Sequence, residues 1–230
     1  MKQDFSVLKT VPLFSGMSAE EVEGALSCLD ARVKRYEKNQ VLILAGEPVK
    51  NLGIVLSGRV QISREDVLGV RSIVAEFGRG ELFAESLSCA RIEKSPVTAS
   101  AASGCEIMWV RTERILSPCS RACGRHTALI GNMVRLLAGR NIFLNRKMEI
   151  LSKKSIRERV LAYLNGQAAA QGTAKPKVPF TREELADFLC VNRSALSREL
   201  GKMRAERLID FQGSRFTLFP GRGAKAGEDQ

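Results

Sequence analysis

Apolar and polar positions along the chain change rhythm three times, and each rhythm predicts a different kind of element. Residues 5–30 read as short helix, with Ser18 and Glu21 spaced as a capping box before Val22, Leu26 and Leu29. From Ala31 to Val110 the texture turns to short β-rich runs: ARVKRY, QVLIL, LGIVL, RVQIS, RSIVAEF, PVTASAA and EIMWV. Gly46, Gly58, Gly69, Gly78, Gly80 and Gly104 punctuate them, and strands at this spacing predict a β-sandwich, barrel or roll.

The third rhythm is helical. Ser117 and Pro118 suit the N-cap and first turn of a long helix. Along it Ile130, Val134, Leu137, Asn141, Leu144, Met148 and Leu151 recur at alternating steps of four and three, the a/d pattern of a two-stranded coiled coil. The other reading of that stripe is a helix buried in its own domain. The flanking Arg135, Arg140, Asn145, Arg146 and Lys147 favour a seam between two chains, with Asn141 setting its register. Residues 152–169 form a further amphipathic helix, with Ile156, Val160, Leu161 and Leu164 on one face.

The last pattern is compact. Thr181 and Glu184 cap a short helix whose inner face is Leu185, Ala186 and Leu189. A tight turn at Cys190–Asn192 leads into RSALSRELGKMRAERL, with Leu196, Leu200 and Met203 inward and Arg193, Ser194, Ser197 and Arg198 outward near its start. Two short strands around Gly213 follow as a wing. This is the pattern of a winged helix-turn-helix whose second helix enters a major groove. Arginine there presents a donor fork to guanine O6 and N7, while hydroxyls and helix N-termini suit phosphate. Arg182, at the start of the preceding helix, is a candidate for phosphate contact, and Asn192 opens the second helix. A small protein-docking module with a solvated basic face is the alternative reading.

Composition sharpens this picture. The formal net charge is +11 over 230 residues, which favours a polyanionic partner, nucleic acid or membrane surface. Residues 152–230 hold 15 Lys and Arg against 9 Asp and Glu, so positive charge is densest at the C-terminal end. No apolar run is long enough to span a bilayer, and the N-terminus lacks the features of a secretory signal, so a cytoplasmic protein is expected. Cys28, Cys89, Cys105, Cys119, Cys123 and Cys190 are then thiols, metal ligands or redox sensors rather than structural disulfides. Cys119, Cys123 and His126 share one helical face and offer a metal or redox site that would bias the long helix; the alternative is that the cysteines simply pack and His126 is solvated. For Cys89, Cys105 and Cys190, packing is expected.

The chain resembles the Crp/Fnr family of bacterial transcription regulators over nearly its whole length. GEPVKNLGIVLSGRV carries the family's glycine frame, GELFAES resembles the strand leading into the effector pocket, and TREELADFLCVNRSALSREL matches the family's helix-turn-helix without a gap. The resemblance implies an α+β fold: a double-stranded β-helix (jelly-roll) sensor domain over 1–116, a dimerisation helix over 117–151 and a winged helix-turn-helix over 152–220; the polar, Gly-rich stretch 221–230 is expected to be a disordered tail. It implies a homodimer on an inverted-repeat DNA operator, with RNA polymerase as a further partner. Arg193, Ser197 and Arg198 match residues the family uses on bases, and Ser194 stands where members often carry Glu.

The sequence departs from the family at the effector pocket. Members that bind cyclic nucleotides keep a Gly-Glu pair and an Arg-Ser pair around the cyclic phosphate; here these read Ala84-Glu85 and Ser95-Pro96. Without that arginine the phosphate lacks its two-pronged partner, although Lys94 is close in sequence, so weak or absent cyclic AMP binding is expected. Glu85, Lys94 and Ser95 remain the candidate effector-pocket residues, and the effector itself stays unnamed. Two other functions compete. A cupin-type metal enzyme needs several histidines, and this chain has one. A cyclic-nucleotide-binding regulatory protein without a DNA role leaves the winged helix unexplained.

Overall fold

The computed structural model describes residues 5–66, 68–117 and 124–219. The chain divides into two compact units, Met1–Gly139 and Arg140–Gln230.

In the first unit, two 3₁₀ segments (Phe5–Thr10, Pro12–Phe14) lead into α1 (Ala19–Cys28), whose N-cap Ser18 forms the expected capping box with Glu21. Strands β1 (Arg32–Tyr36), β2 (Val41–Ile43), β3 (Asn51–Ser57), β4 (Val60–Glu65), β5 (Arg71–Phe77), β6 (Leu82–Phe83), β7 (Thr98–Ala101) and β8 (Cys105–Arg111) follow, with the short helix α2 (Glu85–Cys89) between β6 and β7. They form two antiparallel four-stranded sheets, ordered β1-β8-β3-β6 and β2-β7-β4-β5.

Strand β3, inside the first sheet, is buried on both faces, which is why LGIVL reads as an unbroken apolar run. Successive side chains of a strand point to opposite faces. Leu52, Ile54 and Leu56 of β3 and Met108 and Val110 of β8 join an outer core with Leu8, Leu13, Phe14, Leu29, Leu129 and Met133. Val55 and Ile107, from the intervening positions, face an inner core with Tyr36, Phe83, Ala99 and Ala101. Gly53 lies opposite Phe83 in the β3–β6 ladder, and a Cβ there would clash with the Phe83 ring. The missing side chain is what lets Phe83 fill the interior of the roll, edge-on to Trp109 at 5.4 Å. Trp109 Nε1 in turn donates to Tyr36 Oη at 2.9 Å. Gly58, between β3 and β4, has φ +77 and sits against the Gly104 carbonyl, so both conformation and space require glycine.

A helix not expected from the sequence, α3 (Thr112–Leu116), ends the roll, and Ser117 is its C-cap rather than the first residue of the long helix. Pro118 lies outside the described residues. The long helix α4 (Gly124–Leu151) begins in the first unit, where His126, Leu129, Asn132 and Met133 are buried. Asn132 Nδ2 donates to the carbonyls of Leu13 and Ser15, both at 2.9 Å, pinning the N-terminal segment to the helix.

The second unit holds the rest of α4, then α5 (Ile156–Gln171), α6 (Arg182–Phe188), α7 (Arg193–Ala205), and the hairpin β9 (Ile209–Gln212) and β10 (Arg215–Leu218). Val160, Leu164, Leu185, Leu189, Leu196, Leu200, Met203 and Phe216 form its core. The inward stripes expected on α6 and α7 are therefore the ones that pack.

Candidate nucleic-acid interface

The DNA-reading unit is set up by its caps. Thr181 accepts the amide of Glu184 and the Glu184 carboxylate accepts the amide of Thr181, which holds Glu184 below the usual carboxylate range. The chain then turns at Cys190, in the left-handed region at φ +52, and enters α7 at Asn192. Cys190 is exposed there, which corrects the expectation that it packs. Asn192 Oδ1 accepts both the amide (2.9 Å) and the hydroxyl (2.6 Å) of Ser194. Asn192 and Ser194 are thus committed to capping the helix, whereas Arg193, Ser197 and Arg198 are exposed on its leading turns. Arg193 Nη1 stands 3.9 Å from Glu183, a loose and solvated pair. Arg198 has no carboxylate within 4.0 Å among the described residues.

The structure places Arg182 differently from these exposed arginines. It is half-buried, its guanidinium 4.8 Å from the ring centroid of Phe211 and 5.3 Å from that of Phe216, so it clamps the wing to α6. Burial pulls its pKa below the ordinary arginine value. Arg204 on α7 reaches the wing from the other side, with Nε 2.7 Å from Asp210 and its guanidinium 5.3 Å from the Phe211 ring.

Sequence reading missed what aims α7. Arg157 of α5 donates Nε to Glu199 at 2.7 Å and its two terminal nitrogens to Glu206 at 2.7 and 2.8 Å. These hydrogen bonds, to Glu206 first and then to Glu199, raise the pKa of Arg157, and the same contact holds Glu206 below the usual carboxylate range. Arg159 Nη1 donates to the Leu189 carbonyl at 3.2 Å, tying α5 to the turn as well. No local pattern announces partners 42 and 49 residues apart.

On α4, Val134, Leu144 and Met148 are exposed at 60%, 55% and 68%, and Asn141 is exposed and accepts from Asn145 Nδ2 at 2.9 Å. Ile130 and Leu137 are half-buried, and Leu137 packs against the outer core of the first unit.

In the β-roll, Glu85 and Ser95 are buried and Lys94 is exposed. Ser95 Oγ donates to the Val97 carbonyl at 2.7 Å and accepts the Val97 amide at 3.3 Å; its own amide donates to Glu47 O. Its hydroxyl is spent inside its own turn. Ala84, where the family keeps glycine, adopts the left-handed conformation at φ 61 as N-cap of α2. Cys105 is buried and packs as expected, while Cys89 is half-buried at the end of α2. His126 is buried on α4, and Cys119 and Cys123 lie outside the described residues. Among the described residues no helix is long and apolar enough to cross a membrane.

A two-sheet roll followed by a capped, winged helix-turn-helix defines a protein of the DNA-binding regulator class. Comparison with known proteins agrees. Residues 33–121 match the cyclic nucleotide-binding domain and residues 158–219 the Crp-like helix-turn-helix domain. The chain is 30% identical over 203 residues to a cyclic AMP receptor protein of Thermus thermophilus, covering 88% of this chain and 89% of that one. The crystal structure of the Thermus thermophilus catabolite activator protein superposes with a TM-score of 0.53 at 26% identity, over 90% of this chain and 93% of that one. The fold is shared with a c-di-GMP-responsive global regulator of Xanthomonas campestris at 20% identity and a TM-score of 0.53, over 89% of this chain and all of that one. The chain belongs to the Crp/Fnr family of transcription regulators, and it is a DNA-binding regulator rather than an enzyme.

Proposed function

We propose that the protein binds an inverted-repeat DNA operator as a homodimer, with α7 in the major groove, and regulates transcription through RNA polymerase. The observation that carries this reading is the exposed leading face of α7: Arg198 and Ser197 stand in solvent without an ion-pair or cap commitment, on a helix whose other face is buried in the unit's core. Exposed Val134, Leu144 and Met148 on α4 supply the second half of the reading, because an apolar stripe on a long helix is stable when a second copy covers it. The direct test is selection of bound sites from a random duplex pool, which should return an inverted repeat with guanine in each half-site. A pool that stays unenriched, or a non-palindromic consensus, counts against it.

In this reading cyclic AMP binds the protein weakly or not at all, and the effector stays unnamed. Relatives in the fold carry names that point to different ligands, cyclic AMP in one and c-di-GMP in another, so a relative's name does not transfer. Here the Ser95 hydroxyl is spent on Val97 and the inner core is filled by Phe83 and Trp109. Calorimetry with cyclic AMP should give little or no saturable heat; tight binding would overturn this.

A further inference from the structure

A groove of about 910 Å³ lies in the second unit between the C-terminal half of α4, α5 and the end of α6, away from the exposed leading face of α7. Its wall is aromatic. Phe188 stands 6.3 Å from Phe143 and 5.1 Å from Tyr163, centroid to centroid, with Phe180 behind at 5.2 Å from Phe188. Phe143 is 55% exposed, so this wall has an open face. Its rim is cationic. Arg146, Lys147 and Lys153 line it, and none has a carboxylate within 4.0 Å among the described residues. Lys147 Nζ lies 5.1 Å from the Phe188 ring centroid. Of the acids on the rim, Glu158 is committed to the Ser155 amide as a cap, leaving Glu149. A third observation is independent of both: the Tyr163 hydroxyl is buried with no hydrogen-bond partner among the described residues. A buried hydroxyl in that state is a donor in search of an acceptor.

We propose that this groove binds a planar aromatic carboxylate, its ring against Phe143 and Phe188 and its carboxylate on Arg146 and Lys147, with Tyr163 as hydroxyl donor. Aromatic faces favour a flat ring over an aliphatic body. Unpaired cations beside an apolar wall favour a carboxylate over a neutral head group. The groove stays open if α4 forms a dimer seam through Asn141, Leu144 and Met148, because Phe143, Arg146 and Ile150 fall on the helix side away from those positions. An occupant would bear on DNA reading, since the groove's α5 wall also carries Arg157 and Arg159, which hold α7 and its turn. That consequence rests on the operator reading above; binding itself does not.

The test is calorimetric titration of the full-length chain, without DNA, with 2-naphthoate. We expect saturable binding of one ligand per chain, weaker by about tenfold or more for 2-naphthylmethanol and for cyclohexanecarboxylate. An Arg146→Gln, Lys147→Gln double variant, checked by circular dichroism for an unchanged fold because Lys147 is half-buried, should lose about tenfold or more in affinity. Tyr163→Phe, checked by circular dichroism for an unchanged fold, should lose several-fold. Equal binding of the alcohol and the acid, binding indifferent to the double variant, or no heat with 2-naphthoate would each overturn the proposal. Because no DNA is present, these outcomes are independent of whether the operator reading holds.

Discussion

Arg157 and Glu206 face each other as a two-pronged pair, guanidinium to carboxylate at 2.7 and 2.8 Å, and join the start of α5 to the end of the recognition helix. The third nitrogen of the same fork holds Glu199, so one arginine fixes α7 at two points along its length. Lysine offers a single point charge and has no fork for this geometry. Arg157→Ala should therefore weaken operator binding although Arg157 is not a base reader, and Arg157→Lys should restore only part of the loss. The pair also has a pH signature. Glu206 is held below its ordinary value of 4.5, so its contribution is complete above that value and is lost as pH falls through the depressed one. The gap in melting temperature between wild type and Arg157→Ala should be widest near neutrality and shrink as the solution is acidified below 4.5. A gap that is constant or grows on acidification would show that the pair does not hold α7.

The interior of the β-roll depends on an absence. Gly53→Ala drives a methyl group against the Phe83 ring, and overpacking of this kind costs about 1–3 kcal/mol. Adding Phe83→Leu removes the clash and should recover part of that cost, a sign reversal that simple core truncation would not give. Urea denaturation of the two single variants and the double variant measures it; additive losses would mean that Gly53 is not there for Phe83.

The proposed dimer is best probed away from the β-roll. Leu137 packs on the roll's outer core, so a charge there would damage a monomer as well as a dimer. Leu144→Asp and Met148→Asp change residues that are already exposed, at 55% and 68%, and should leave the fold intact while shifting the protein to monomer in sedimentation. The same variants should bind operator less tightly because each half-site is then read separately. Wild-type protein that sediments as a monomer at micromolar concentration would end this reading.

How much of this was legible in the sequence follows from the range of each interaction. The winged helix could be read because everything that builds it is local: the Thr181–Glu184 box, the inward Leu185, Ala186 and Leu189, and the step from Leu196 to Leu200 to Met203. The strands of the roll could be read from period and punctuation. Element β6 has two residues and α2 has five, too short to show a period, and α2 starts at a left-handed Ala84 that no capping rule marks. Ser117 looked like the start of a helix because it stands before a proline, but the backbone uses it to end α3. Cys190 was expected to pack on residue type alone, and its position in a left-handed turn leaves it in solvent. The groove at Tyr163 and the Arg157 fork arise from elements brought together in three dimensions, which one-dimensional patterns do not record.

Arg198 and Arg182 carry the sharpest test of DNA reading. Arg198 is exposed one turn into α7 and has no carboxylate partner among the described residues, so its fork is available to guanine. Arg198→Ala should cost roughly 1–3 kcal/mol per half-site and relax preference at one base pair, with random DNA affected far less. Arg182 lies on the preceding helix with its guanidinium over Phe211 and Phe216, where it can still present nitrogens to a phosphate but is already bound to the wing. Its removal should weaken binding to all sequences alike and lower the salt slope by about one. It should also lower the stability of the second unit by about 0.5–2 kcal/mol, the worth of a partly buried cation–π contact. The stability loss distinguishes the two arginines before any DNA is added: the Arg198 variant should melt like wild type. Affinities are then compared on selected and random duplexes at two salt concentrations, well below the melting point of both variants. If Arg198→Ala loses affinity equally on both duplexes, Arg198 is a phosphate contact and α7 does not enter the groove in this register.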